Sequence, residues 1–146
     1  MSKQSKRHMG GSGEALPSGA VGEEVTGTVV GNFAVTNGVV HTVGEITLQP
    51  GIYVILARSY ASPNGSNIVT LFRTSISLSD QGLDLLNYVS GSDGNTASAD
   101  TAHNDFRVVR VTSTTTYYSR MQVGYTGASP TNFIQDYSYM KAYRIA

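Results

Sequence analysis

Few side-chain types can carry catalysis, and most of them are scarce here. The chain has no cysteine, which removes thiolate nucleophiles, thiolate metal sites and disulfides together. It has three histidines, His8, His41 and His103. In His103-Asn104-Asp105 an imidazole stands two residues from a carboxylate, the makings of an oriented general base. A local loop contact accounts for the same pair, and such pairs are more often structural. No serine lies in a G-x-S-x-G elbow. A glycan-cleaving site needs two carboxylates about 5 to 10 Å apart. Glu14, Glu23 and Glu24 lie near the start, Asp80 and Asp84 flank one turn, and Asp93, Asp100 and Asp105 share one polar stretch, so no pair is singled out. Asp93, Asn95 and Asp100 offer hard oxygens of the kind calcium takes. Their spacing is not that of an EF-hand loop, and Asx-turn chemistry explains them too. The expectation is a protein without an active site, metal or cofactor.

Binding chemistry is better represented. There are nine tyrosines and no tryptophan, and six of the nine follow residue 116. A tyrosine ring is flat and apolar with a hydroxyl at its edge, which suits sugar faces and protein epitopes alike. Strand alternation puts Tyr117 and Tyr125 with Met121 and Val123 on a core face. Tyr118 beside Arg120, and Tyr137 and Tyr139 beside Asn132 and Asp136, are better placed for the surface. Cross-strand aromatic pairing is the competing reading for each of them. Segments 91–105 and 126–139 are expected to be loops that present such residues. The candidates are His103, Asn104, Asp105, Tyr118, Arg120, Asn132, Tyr137 and Tyr139, with Tyr60 and Asn64 in support.

The elements that must position these residues are strands. Thr, Ser, Val, Ile, Tyr and Gly are abundant, while the residues that sustain helices are scattered. Short β-branched and aromatic runs recur between turn signals, about nine to ten of them. Asn37-Gly38 between two apolar runs signals a hairpin, and Pro50-Gly51 a tight turn. In 68–78 the residues Ile68, Thr70, Phe72, Thr74, Ile76 and Leu78 should share a dry face, with Arg73, Ser75 and Ser77 on a wet one. Segment 83–89 reads equally as strand or helical turn. The runs FRVVRVTS and TTYYSRMQVGY read as a strand pair.

The 146 residues suffice for one domain, and Lys+Arg equals Asp+Glu at ten each. No field steers the chain to nucleic acid or anionic lipid. No stretch approaches the length of a membrane-spanning helix. Residues 1–13 read as a leader or tag with a flexible linker, and 14–146 as the folded domain. One run needs more than an antiparallel sheet supplies: Ile52 to Ala57 is apolar without a break, so both faces of that strand must be covered.

GEALPSGAVGEEVTGTVV, EITLQPGIYVILARSY, VVRVTSTTTYYSRMQVGY and the ending MKAYRIA, in that order, resemble the carboxy-terminal domains of tailed-bacteriophage tail fibres and related prophage or bacterial fibre proteins. The Pro-Gly-aromatic strand is also similar to trimeric jelly rolls of complement C1q and tumour necrosis factor type. A His-x-His motif and a glycine-rich repeat are missing, so no metal-threaded needle is expected. The resemblance implies an all-β, antiparallel, jelly-roll-like sandwich that forms a homotrimer, with an apolar strand face near the threefold axis. Tyr53, Ile55 and Ala57 are the axis candidates. It further implies a virion tail fibre or extracellular fibre, whose partner is a bacterial surface glycan or outer-membrane protein, with no nucleic acid and no membrane insertion. A structural trimerisation cap and a glycan-cleaving enzyme are the alternatives.

Overall fold

The computed structural model describes residues 17–65, 67–83, 89–93 and 100–146. The expected leader, residues 1–13, lies outside them, as does 84–88 of the ambiguous segment. Among the described residues there are eleven strands and no α-helix. In chain order they are β1 (Glu24–Thr26), β2 (Thr28–Val29), β3 (Phe33–Val35), β4 (Val40–Leu48), β5 (Gly51–Ser62), β6 (Ile68–Ser77), β7 (Val89–Asp93), β8 (Thr101–Val111), β9 (Thr115–Thr126), β10 (Thr131–Phe133) and β11 (Tyr139–Arg144). A 3-10 turn, Gln135–Tyr137, precedes β11.

They form two antiparallel sheets. In the front sheet β5 is flanked by β11 and β10 on one side and by β8 on the other, with β1 beyond β11 and β3 beyond β10. The back sheet runs β2-β4-β9-β6-β7. The two pack face to face as a sandwich. Tyr53, Ile55 and Met140 of the front sheet meet Ile46, Leu48 and Tyr117 of the back sheet at one end, and Phe133 and Ala61 meet Phe72, Met121 and Val123 at the other. Burying such side chains stabilises by roughly 1.5–3 kcal/mol each.

The chain reaches this arrangement by crossing between sheets more often than by forming hairpins. Asn37-Gly38 does make a tight turn, with Gly38 at φ 74° and Val39 N–H donating to Thr36 C=O at 3.1 Å. The strands it joins are nevertheless not partners, because β3 pairs with β10 and β4 with β9. Asn37 instead docks the turn on the neighbouring strand, its amide exchanging hydrogen bonds with the Tyr125 backbone at 2.7 and 2.9 Å. Likewise β8 and β9 are consecutive but lie in different sheets, so the expected pair is replaced by β8–β5 and β9–β4. In β6 an irregularity between Val69 and Leu71 turns Val69 inward and leaves Ile68 exposed. The face of β6 expected to be wet is covered, with Ser75 and Ser77 buried and their hydroxyls 2.9 Å apart.

Candidate functional site

β5 is twelve residues long, and its side chains alternate between the core and the outside of the front sheet. Tyr53, Ile55, Ala57, Ser59 and Ala61 point inward and are buried. The three residues expected at a subunit axis are therefore enclosed by the chain's own core. The outward set is Ile52, Val54, Leu56, Arg58, Tyr60 and Ser62, all half-buried, and its character changes midway from apolar to polar. That change divides the outer face of the front sheet into two halves.

The apolar half centres on Val54 and Leu56. β8 sets Val108 and Phe106 beside them, and β11 sets Tyr143 and Lys141 on the other side. Phe106 is 65% and Val108 54% exposed, high values for large apolar side chains in a row. The Lys141 ammonium lies 5.1 and 5.8 Å from the Tyr139 and Tyr143 rings, and its contact with Tyr143 raises its pKa.

The polar half begins at Arg58, flanked by Tyr139 on β11 and Asn104 on β8. Next along the strand Tyr60 packs against Tyr137, with ring centroids 4.9 Å apart at 49°. The 3-10 turn that carries Tyr137 is fixed to β5, since Ser138 Oγ accepts from Tyr60 N–H at 3.1 Å and donates to Ile134 C=O at 2.8 Å. Tyr60 Oη donates to Asp100 Oδ2 at 2.8 Å, and Ser62 Oγ donates to Asp100 Oδ1 at 2.7 Å. The two hydroxyls hold the Asp100 carboxyl below its usual pKa, the Ser62 bond contributing most, and the same pairing raises that of Tyr60. Asn132 stands opposite Ser62 on β10. Rings, an ionised carboxylate, an amide and a guanidinium thus share one end of the sheet. Polyols and planar anions are the ligands such groups recognise.

This end is remote from the chain's described termini. Gly22 N–H donates to Arg144 C=O and Ile52 N–H to Ala146 C=O, both at 2.7 Å, so residues 22 and 146 sit at the Gly51 end of β5. Tyr60 is about 26 Å beyond Ile52 at strand spacing.

Four of the eight sequence candidates, Asn104, Asn132, Tyr137 and Tyr139, belong to this outer face. The other four are elsewhere. Residues 101–105, expected in a loop, are the start of β8. Strand alternation turns His103 and Asp105 inward: His103 stacks on buried Phe72 at 4.5 Å, and burial lowers its pKa. Asp105 is half-buried with Oδ2 unpaired, and burial pushes its pKa up to about 6. Asp105 Oδ1 accepts from Phe106 N–H at 2.9 Å, and among the described residues no hydrogen bond joins its carboxylate to the His103 imidazole. Tyr118 and Arg120 lie on the opposite, back sheet. Arg120 is buried and structural, donating from Nε to Gly82 C=O at 3.0 Å and from Nη1 to Thr42 Oγ1. Asn64 is exposed in the turn after β5, and Asn95 of the calcium reading lies outside the described residues.

Sequence reasoning passed over Arg58, Ser62 and the hydroxyl-bound role of Asp100. The signal was present in β5 itself, where every second residue from 52 is apolar up to Leu56 and polar from Arg58 on. Among the described residues no group of three or more His, Cys, Asp or Glu side chains is placed to hold a metal, and no helix is long and apolar enough to cross a membrane. No family model matches the chain, and no curated protein matches it in sequence.

Proposed function

We propose that this domain is the trimeric, jelly-roll-like tip of a virion tail fibre or related extracellular fibre, and that it binds a bacterial surface receptor through the tyrosine end of its front sheet. The observation that carries this reading is the Tyr60–Tyr137 pair gathered with Asp100, Ser62 and Asn132 at one end of the front sheet. A glycan is the better match to a tilted pair of rings edged by hydroxyl, carboxylate and amide. The apolar half of the same face, where Phe106 and Val108 are exposed, is where copies of the chain meet, and it answers what covers the outer side of Ile52 to Leu56. Three weak sites then act together on a dense receptor.

A binding role fits the titrations better than catalysis. Asp100 is held in its charged form, the reverse of what a general acid needs. Asp105 has the pKa of an acid but faces the space between the sheets.

Adsorption of the purified protein to a panel of bacterial strains, with Tyr137→Ala as comparison, tests the reading. The wild type is expected to bind a subset of strains, and the variant to lose binding while keeping its melting temperature. Binding to no strain, or undiminished binding by a folded variant, would overturn it.

A further inference from the structure

We propose that the tyrosine end of the front sheet takes an acidic saccharide, with the sugar ring against Tyr60 and Tyr137 and its anionic group on Arg58. The proposal rests on the receptor-binding reading above and names its ligand class.

Arg58 is unlike the other arginines whose bonds are clear. Arg107 donates to Ile76 C=O at 2.9 Å, Arg144 to Pro50 C=O at 2.9 Å, and Arg120 to Gly82 C=O, so each is tied into the fold. Arg58 makes no hydrogen bond or ion pair among the described residues; its Nε is buried without a partner, as are those of Arg107 and Arg144, but unlike theirs its terminal nitrogens hold no carbonyl of the fold. Its charge is close enough to Tyr60 to act on the phenol. A guanidinium is charged at every relevant pH and offers planar paired donors that match a carboxylate or phosphate. Strand geometry places it two residues from the Tyr60 ring on the same face, a separation of about 7 Å that one pyranose with its acidic substituent spans.

The other end of the site sets the direction. Asp100 already accepts two hydroxyl hydrogen bonds and stays ionised, so it repels an anion while keeping lone pairs for sugar hydroxyls. The acid group therefore lies toward Arg58 and the hydroxyls toward Asp100 and Ser62. A protein epitope offers an acidic side chain but no ring of hydroxyls to meet Asp100, which is why a sugar is favoured.

Heteronuclear NMR of the intact chain, titrated with methyl β-glucuronide, glucose 6-phosphate and methyl β-glucoside, tests this. Both acidic sugars, or one of them, should shift the Arg58 Nε–H signal and the Tyr60 and Tyr137 ring signals, with affinity at least about tenfold above the neutral glycoside. The tighter of the two names carboxylate or phosphate as the group read. Arg58→Gln should abolish the preference, and Arg58→Lys should retain part of it. Equal binding of the neutral glycoside overturns the acidic class and leaves receptor binding standing. No shift from any sugar, with adsorption to bacteria still dependent on Tyr137, overturns a saccharide ligand alone. Loss of both results removes this inference and the reading beneath it.

Discussion

Asp105 shows how one substitution of surroundings changes what a residue does. Read as part of a polar loop it is a surface acceptor; on β8 it is turned between the sheets, and burial lifts its pKa from 3.8 to about 6. The N–H groups of Phe106 and Ile76 and the Arg107 charge pull the other way without cancelling the effect. A raised folded-state pKa means the native protein holds this proton more tightly than the unfolded chain. The group therefore favours folding most below about pH 4, and that contribution falls as pH rises to about 6. Asp105→Asn keeps an acceptor and removes the titration. The variant should be more stable than wild type at pH 7 by about 1 kcal/mol, allowing for screening of a half-exposed group, with the difference shrinking toward pH 4. Denaturant titrations of both proteins from pH 4 to 7 measure that difference; a constant offset would refute it. Gly127 gives a second test at this scale. Its φ is 117°, and a Cβ there would overlap Asn67 Oδ1, whose buried amide donates to Ser129 C=O. Gly127→Ala should destabilise by about 2 kcal/mol or more, because it combines backbone strain with displacement of a buried hydrogen-bonded amide. Gly38→Ala, at φ 74° with open space around it, should lose about 1 kcal/mol. Thermal melts of the two variants side by side would show whether the order holds.

At the scale of elements, Arg120 joins three of them: it extends from β9, and its guanidinium reaches Thr42 on β4 and the Gly82 carbonyl beyond β6. Arg120→Ala should lower stability by about 2 kcal/mol, since bonds from a charged donor are lost and a carbonyl is left unmet. Arg120→Lys should recover only part, because an ammonium cannot span both acceptors with fixed geometry. Chemical denaturation distinguishes the two. Alternation made β9 readable from the chain, and the inward set Tyr117, Ser119, Met121 and Val123 stands where its spacing put it, whereas β5 was recognisable only as an unbroken apolar run that does not say which face is inward. β8 was not readable at its start. Thr101 to Asp105 carries polar side chains on both faces, because one face is open and the other meets Phe72 and the β6 backbone near the mouth of the sandwich. Polarity without periodicity has the look of a loop. The pairing of β8 with β5 and of β3 with β10 was beyond reach for another reason: turn residues report that the chain reverses, not which sheet it enters next. The candidate site was half legible on the same grounds. Tyr137 and Tyr139 were visible as exposed aromatics, whereas the company of Arg58 and Asp100 depends on register between distant strands.

For the molecule as a whole, the proposed trimer rests on the outer face of the front sheet. Ile52, Val54 and Leu56 are half-covered by their neighbours, and Phe106 and Val108 lie mostly open beside them, so a row of apolar side chains faces out across two adjacent strands. Water contact with such a row is unfavourable at about 25 cal/mol per Å², and association removes it. Residues on the two faces of the front sheet should therefore respond in opposite ways. Phe106→Glu with Val108→Lys alters only the outer face, leaves the core sets of both sheets intact, and should convert the proposed trimer to a folded monomer. Ile55→Ala opens a cavity in the sandwich core, where Ile55 is fully buried, and should lower stability by about 3 kcal/mol while the mass of the folded form stays that of the wild type. Light scattering coupled to size exclusion reads the mass, and circular dichroism reads the fold. If the outer-face double variant keeps the mass of the wild type, this face is not where copies meet, and the apolar outer side of β5 must be covered by something else. If the wild type is itself monomeric, the exposed row persists in solution, and the avidity argument for a trimeric receptor-binding tip falls with it.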